Sequence, residues 1–145
     1  MANQTFNRLI NNQLFTRLTW LRFIGFEFWM VGFTPFFIGY VISSRELYSF
    51  DLFYGFLIIA LLTSSTFVLN HICDIDLDKK NPRKEFSLLV RGTISIRNSW
   101  LLFWALQLSC LILSFKFNLE FIFCILGLTL ISFVYNMKPF RFKSR

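Results

Sequence analysis

The stretch that decides the fold is Asn70-His71-Ile72-Cys73-Asp74-Ile75-Asp76-Leu77-Asp78, followed directly by Lys79-Lys80-Asn81-Pro82-Arg83-Lys84-Glu85. It is the only place in the sequence where carboxylates cluster, and it follows an apolar run long enough to be a membrane helix. If that helix continues through the stretch, Asn70, Asp74 and Asp78 fall at i, i+4 and i+8 and share one helix face. Asp76 points away from that face.

The chemistry of this face follows from the behaviour of hard cations. Two carboxylates one helical turn apart repel each other, and a divalent cation removes that repulsion. Mg²⁺ suits such a pair because it binds through one or two carboxylates and takes its remaining ligands from water and substrate phosphates. Asp74 and Asp78 therefore predict a diphosphate dock, in which Asn70 adds a carbonyl ligand or orients an aspartate. The alternative interpretation is a solvated loop between two membrane helices.

The composition excludes a soluble domain. Hydrophobic residues make up 55% of the chain and aromatic residues 20%, including 21 phenylalanines, which is more than soluble domains carry. We therefore expect an all-α integral membrane helical bundle, in one membrane domain over residues 1–145. It has about four transmembrane helices, and the predicted spans are 23–42, 52–69, 100–115 and 117–135, with a cytoplasmic motif loop over 70–98.

The N-terminal segment 1–22 is polar, but apolar residues recur in it at helical spacing. That pattern predicts an amphipathic helix on the membrane surface, and the alternative is a disordered tail. Glu27 follows within the first predicted span. An acid inside the bilayer by default faces the protein interior, so Glu27 is a functional candidate. It could equally lie at interface depth and pair with Arg22 or Arg17.

The distribution of basic residues fixes the predicted orientation. Thirteen Lys and Arg residues lie in the N-terminal segment, the motif loop and the tail, and two, Arg45 and Lys116, lie in the opposite loops. This asymmetry predicts that both termini and the aspartates face the cytoplasm, with the protein in the cell membrane. Anionic lipids of the bilayer explain the net charge of +7, so no nucleic acid partner is required. His71 and Cys73 beside Asp74 make only a weak zinc pattern.

Three segments of the chain resemble the UbiA-type intramembrane prenyltransferases. The Asn-xxx-Asp-xxx-Asp stretch at the end of the second span, with its basic loop and Arg91-Gly92-Thr93-Ile94-Ser95, looks like the family's first aspartate-rich motif. The tail Tyr135-Asn136-Met137-Lys138-Pro139-Phe140-Arg141-Phe142-Lys143 resembles the segment after the family's fourth helix. A third, weaker similarity is Thr34-Pro35-Phe36-Phe37-Ile38-Gly39 in the first span.

This resemblance implies a reaction and a set of site residues. The reaction would be Mg²⁺-dependent transfer of a prenyl group from a prenyl diphosphate to a lipid or aromatic acceptor in the membrane. Asp74 and Asp78, assisted by Asn70, would hold Mg²⁺, and Tyr135 would face the developing allylic cation. The residues expected to bind the diphosphate are Arg83, Lys84, Arg91, Arg141 and Lys143.

The chain also departs from the family pattern. His71 stands where the family commonly has a second Asp, and Ser87-Leu88 stands where it often has Arg-Pro. The family's second aspartate motif lies in a later half that these 145 residues do not include. Three interpretations stay open: an active subunit completed by a second polypeptide or another copy, an inactive half-protein, and a small cation transporter that uses Glu27 and the aspartates.

Overall fold

The architecture is a bundle of four long helices, seen in a computed structural model that describes residues 18–45, 47–85 and 87–137. The helices are α1 (Trp29–Ser44), α2 (Phe50–Asp78), α3 (Ile96–Ser114) and α4 (Leu119–Asn136). Helix α1 is preceded directly by the short 3₁₀ helix Phe26–Phe28, and the two together form one candidate membrane span. Helices α2, α3 and α4 are each long and apolar enough to cross a membrane. No strand occurs within the described ranges. The predicted all-α membrane bundle is therefore confirmed.

Helix α2 is the centre of the bundle and packs against α1, α3 and α4. In its most apolar stretch 56% of the residues are buried, compared with 22% or fewer in each of the other spans. Its 29 residues correspond to about 43 Å of helix, whereas the hydrocarbon core of a bilayer is about 30 Å thick. The helix is therefore long enough to carry its polar C-terminal turns beyond the hydrocarbon.

Two apolar clusters hold the bundle together, one towards each end of α2. The cluster at the aspartate end contains Phe23, Val68, Leu69, Ile72, Ile75, Leu88, Leu89, Ile94 and Phe103. The cluster at the opposite end contains Ile58, Ile59, Leu62, Cys110 and Ile125. Because the first cluster includes Leu88, Leu89 and Ile94, part of the loop after α2 packs against the end of the bundle.

Side-chain caps start three of the four helices. Ser49 accepts a hydrogen bond from the Asp51 N–H, Ser95 from the Asn98 N–H and Asn118 from the Phe121 N–H, at 3.1, 3.1 and 3.0 Å. Each cap satisfies a backbone N–H that has no partner inside its own helix. These three residues therefore fix where α2, α3 and α4 begin.

Helix α1 begins differently, at a break around Gly25. This glycine has a φ of 65°, and a Cβ built on it would lie 2.4 Å from the ring of Phe67 on α2. Only glycine accepts both the left-handed backbone and so close an approach. The predicted span 23–42 is accordingly displaced: residues 18–23 form a short helical stretch, and α1 itself runs from Trp29 to Ser44.

The motif loop is shorter than the predicted 70–98. Helix α2 continues to Asp78 and α3 begins at Ile96, so the connection covers residues 79–95. The reason is that Val68, Ile72 and Ile75 extend the buried stripe of α2 through the aspartate stretch at helical spacing. The third and fourth predicted spans differ from α3 and α4 by one to four residues at their ends. Of the predicted interfacial helix, residues 1–17 lie outside the described residues.

Candidate functional site

The last turns of α2 carry the predicted metal ligands. Asn70, Asp74 and Asp78 are all partly buried, while Asp76 is exposed. Residues four apart on a helix lie on the same side, with about 5–6 Å between their Cβ atoms. Because α2 is helical as far as Asp78, its register places the first three residues on one face, hereafter the aspartate face, and places Asp76 outside it.

The donor atoms of the aspartate face suit a hard cation. Two carboxylates and one amide carbonyl offer oxygen ligands, which Mg²⁺ prefers, and Mg²⁺ completes its octahedral shell with water and phosphate oxygens. Among the described residues, no group of three or more His, Cys, Asp and Glu side chains could hold a metal ion. The ring of His71 is stacked on Phe23, with 5.1 Å between the ring centroids and 11° between the planes.

One predicted diphosphate-binding residue lies beside the aspartate face. The Nζ of Lys84 is 4.0 Å from Oδ2 of Asp78, whose side chain is only 13% exposed. Lys84 ends a short 3₁₀ helix (Pro82–Lys84), which Asn81 starts by accepting a hydrogen bond from the Arg83 N–H at 3.0 Å. This local turn bends the chain back after α2, and it is the reason that the lysine reaches the aspartate.

A cavity of about 520 Å³ lies next to this turn, hereafter the basic cavity. Its lining combines three segments of the chain: the helical stretch 18–23, α2 and the loop after α2. Three of its lining residues are cationic, namely Arg22, Arg83 and Lys84. Its apolar and aromatic wall includes Phe23, His71 and Leu88. The volume is within the range of about 300–1,000 Å³ that is usual for small-molecule sites.

The remaining predicted site residues lie elsewhere. Arg91 is exposed, beside Gly92, whose φ is 71°. Tyr135 is exposed on α4 and lines a separate apolar hollow of about 430 Å³ with Leu130, Ile131 and Val134. Glu27 is exposed in the 3₁₀ helix before α1 and does not face the bundle interior. Arg141 and Lys143 lie outside the described residues.

Sequence reasoning did not assign Arg22 and Phe23 to any site. Arg22 appeared only as one of three basic residues in the N-terminal segment and as a candidate partner of Glu27. Nothing in the local sequence indicates that it lines the same cavity as Arg83, which is about 60 positions later in the chain. The one signal in the sequence is that an apolar residue, Phe23, follows Arg22 directly. In the structure Phe23 is 3% exposed and packs in the cluster at the aspartate end.

Comparison with known proteins gives one match. Residues 32–145 match the family model described as the UbiA prenyltransferase family, so the match covers more than half of the chain. No curated protein and no solved structure matches the chain. The matched range includes the aspartate face, Lys84 and Tyr135 but not Arg22.

Proposed function

Because this chain belongs to the UbiA prenyltransferase family, we propose that it takes part in the Mg²⁺-dependent transfer of a prenyl group from a prenyl diphosphate to a lipid or aromatic acceptor in the membrane. The observation that carries the proposal is the aspartate face: Asn70, Asp74 and Asp78 are partly buried along one side of α2, whereas Asp76 is exposed. The Mg²⁺ that would bind a diphosphate headgroup requires such oxygen ligands, and here they lie at the end of a long apolar helix.

Each residue near this face has a task in the proposed reaction. Asp74 and Asp78 bind the cation, and Asn70 adds a ligand or orients Asp74 one turn away. Bound Mg²⁺ supplies charge neutralisation that makes the diphosphate a better leaving group. Lys84, beside Asp78, donates charge-assisted hydrogen bonds to phosphate oxygens and stabilises the charge that develops on them. Arg83, Arg91, Arg141 and Lys143 are proposed to assist in binding the diphosphate.

The prenyl chain requires an apolar surface and protection of its cationic carbon. Tyr135 lines an apolar hollow on α4, and the face of an aromatic ring stabilises a desolvated cation. We propose that the ring of Tyr135 stabilises the positive charge on the allylic carbon. Tyr135→Phe keeps the aromatic ring and should keep the rate at which diphosphate is released from an allylic donor, whereas Tyr135→Leu should slow that release.

The surroundings of the site complete the proposal. The Lys and Arg residues between positions 79 and 97 support an orientation in which the aspartate face is cytoplasmic, by the positive-inside rule, and we propose that the membrane is the cell membrane. We propose that another polypeptide or another copy of this chain supplies a second aspartate cluster, which would hold a cation on the opposite side of the diphosphate. Glu27 is exposed and does not face the interior of the bundle, so it does not support an ion path through the membrane.

Binding of a labelled prenyl diphosphate to the purified chain in detergent tests the proposal. We expect binding with Mg²⁺ and much weaker binding with EDTA, which leaves only the contacts of the basic residues. Asp74→Asn and Asp78→Asn should each weaken the Mg²⁺-dependent binding by about tenfold or more, and Asp76→Asn is the matched control that should leave it unchanged. Circular dichroism confirms that each variant keeps its helices. Equal losses at all three positions would contradict the role of the aspartate face.

A further inference from the structure

The basic cavity gathers positive charge from segments that are distant in the sequence. Arg22 comes from the helical stretch 18–23, while Arg83 and Lys84 come from the turn after α2. Like charges that surround one cavity repel each other, and an anion bound between them removes that repulsion. The three cationic residues are exposed to solvent, and the apolar wall of the cavity includes Phe23 and Leu88, both 3% exposed.

The backbone of Arg22 is held against the bundle by its neighbours. Phe23 is stacked on His71 of α2 and belongs to the cluster at the aspartate end. The Gly25 N–H donates a hydrogen bond to the Arg22 carbonyl at 3.1 Å, and Gly25 itself lies against Phe67 of α2. Arg22 is therefore presented to the cavity by packed structure and not by a loose tail.

Lys84 connects the basic cavity with the aspartate face. Its side chain lines the cavity, and its Nζ lies 4.0 Å from Asp78. A ligand that contacts Lys84 can therefore reach both sites at once. His71, which lines the cavity, is also three residues before Asp74 and seven before Asp78, so the helix turns all three side chains to the same side.

The charges of the two sites match a diphosphate. A diphosphate monoester is strongly anionic near neutral pH, because each of its phosphate groups is ionised. Mg²⁺ held by Asp74 and Asp78 would offset part of that charge. Arg22, Arg83 and Lys84 bring three further positive charges to the adjoining cavity, and Arg22 is the one that comes from outside the loop after α2.

We propose that the basic cavity binds the phosphate groups of the prenyl diphosphate and that Arg22 is a donor-binding residue contributed by the N-terminal stretch. This inference rests on the proposed function and adds to it a residue that precedes the matched family range. The stacking of Phe23 on His71 keeps the stretch 18–23 beside the cavity. A phosphate group could also come from a lipid headgroup, and the experiment separates the two sources.

The test uses titration calorimetry of the purified chain in detergent, with inorganic diphosphate as the probe. Arg22→Gln should weaken diphosphate binding by about tenfold, both with Mg²⁺ and with EDTA, because it removes one charge-assisted contact. The matched control is Arg97→Gln. Arg97 is an exposed arginine in the first turn of α3, and it does not line the cavity. This control should change the binding less than twofold. Equal affinities of the two variants would overturn the inference.

A second arm decides between the two sources of phosphate. Short-chain phosphatidic acid replaces inorganic diphosphate as the probe, in the same detergent. Weaker diphosphate binding in Arg22→Gln, with phosphatidic acid binding unchanged, supports the donor assignment. Loss of phosphatidic acid binding alone, with diphosphate binding unchanged, overturns that assignment in favour of a lipid headgroup.

Asp74→Asn in the same assay separates this inference from the proposed function. If Asp74→Asn abolishes the Mg²⁺-dependent part of binding and Arg22→Gln has no effect, the aspartate face stands and the role of Arg22 is overturned. If Arg22→Gln weakens binding in EDTA and Asp74→Asn has no effect with Mg²⁺, the cavity stands and the aspartate mechanism is overturned.

Discussion

The Oγ of Ser65 on α2 donates a hydrogen bond to Oε1 of Gln107 on α3, over 2.9 Å. The amide of Gln107 donates in turn to the hydroxyl of Thr129 on α4. Ser65 and Gln107 are both buried, so this chain of hydrogen bonds joins three helices within the membrane-spanning part of the bundle. Two helices that meet only through apolar contacts in lipid have little to fix their register, and polar contacts of this kind supply it.

Removal of both groups should show that Ser65 and Gln107 stabilise the bundle jointly. In a double-mutant cycle of Ser65→Ala and Gln107→Leu, we expect a coupling of about 0.6 kcal/mol, the usual value for a hydrogen bond between membrane helices. The measurement is the free energy of unfolding in mixed micelles. Ser109→Ala, at an exposed position of α3, serves as the control and should be additive with Gln107→Leu. Additivity in the Ser65 cycle as well would show that the hydrogen bond contributes nothing.

The contact between α1 and α2 depends on the absence of a side chain at Gly55. A Cβ at this position would lie 2.1 Å from the ring of Phe36 on α1. Gly55→Ala should therefore destabilise the protein by about 1–3 kcal/mol, as overpacking does in other cores. Gly127→Ala in α4 is the matched control, because nothing lies within 4 Å of its Cβ. That variant should be neutral, or slightly more stable because alanine favours helix. The measurement is the thermal unfolding temperature in detergent.

The turn between α3 and α4 is tied to the first turn of α2. Lys116 pairs with Asp51 and also lies over the rings of Phe50 and Tyr54, at 5.0 and 4.5 Å from their centroids. Both charged side chains are partly exposed, at 36% and 46%, so solvent screens their attraction. We expect Lys116→Met to cost about 1 kcal/mol and Lys116→Arg to retain most of that stability. The measurement is the free energy of unfolding at low and at high salt. The difference between Lys116→Met and the unchanged protein should be smaller at high salt. A difference that salt leaves unchanged would contradict an electrostatic contribution of Lys116.

The helices and the aspartate face could be predicted because both depend on local spacing. The apolar runs define four spans, and the interval of four residues between Asn70, Asp74 and Asp78 defines a face wherever the chain is helical. The ends of the helices were predicted less accurately. Ile72 and Ile75 continue the buried stripe of α2 between the polar residues of the motif. The charged residues around them lower the mean hydropathy of this segment, so the sequence predicts that the helix ends too early.

The basic cavity could not be predicted because it depends on contacts between distant segments. Arg22 and Arg83 line one cavity although about 60 residues separate them, and only the packing of Phe23 against His71 reveals the connection. The buried loop is similar. Leu88 and Leu89 follow a highly charged segment, which favours a solvated loop, yet they join the apolar cluster at the aspartate end.

Helix α2 joins the two ends of the molecule as one continuous rod from Phe50 to Asp78. Each residue inserted into an α-helix rotates everything after it by about 100°. A single inserted alanine between Ser65 and the aspartate face would therefore turn His71 away from Phe23, and it would turn Asp74 and Asp78 by the same angle. Four inserted residues would return them almost to the original direction, displaced by about 6 Å along the axis. The tolerance of α2 to insertions should thus be periodic, and length changes in relatives should follow whole helical turns.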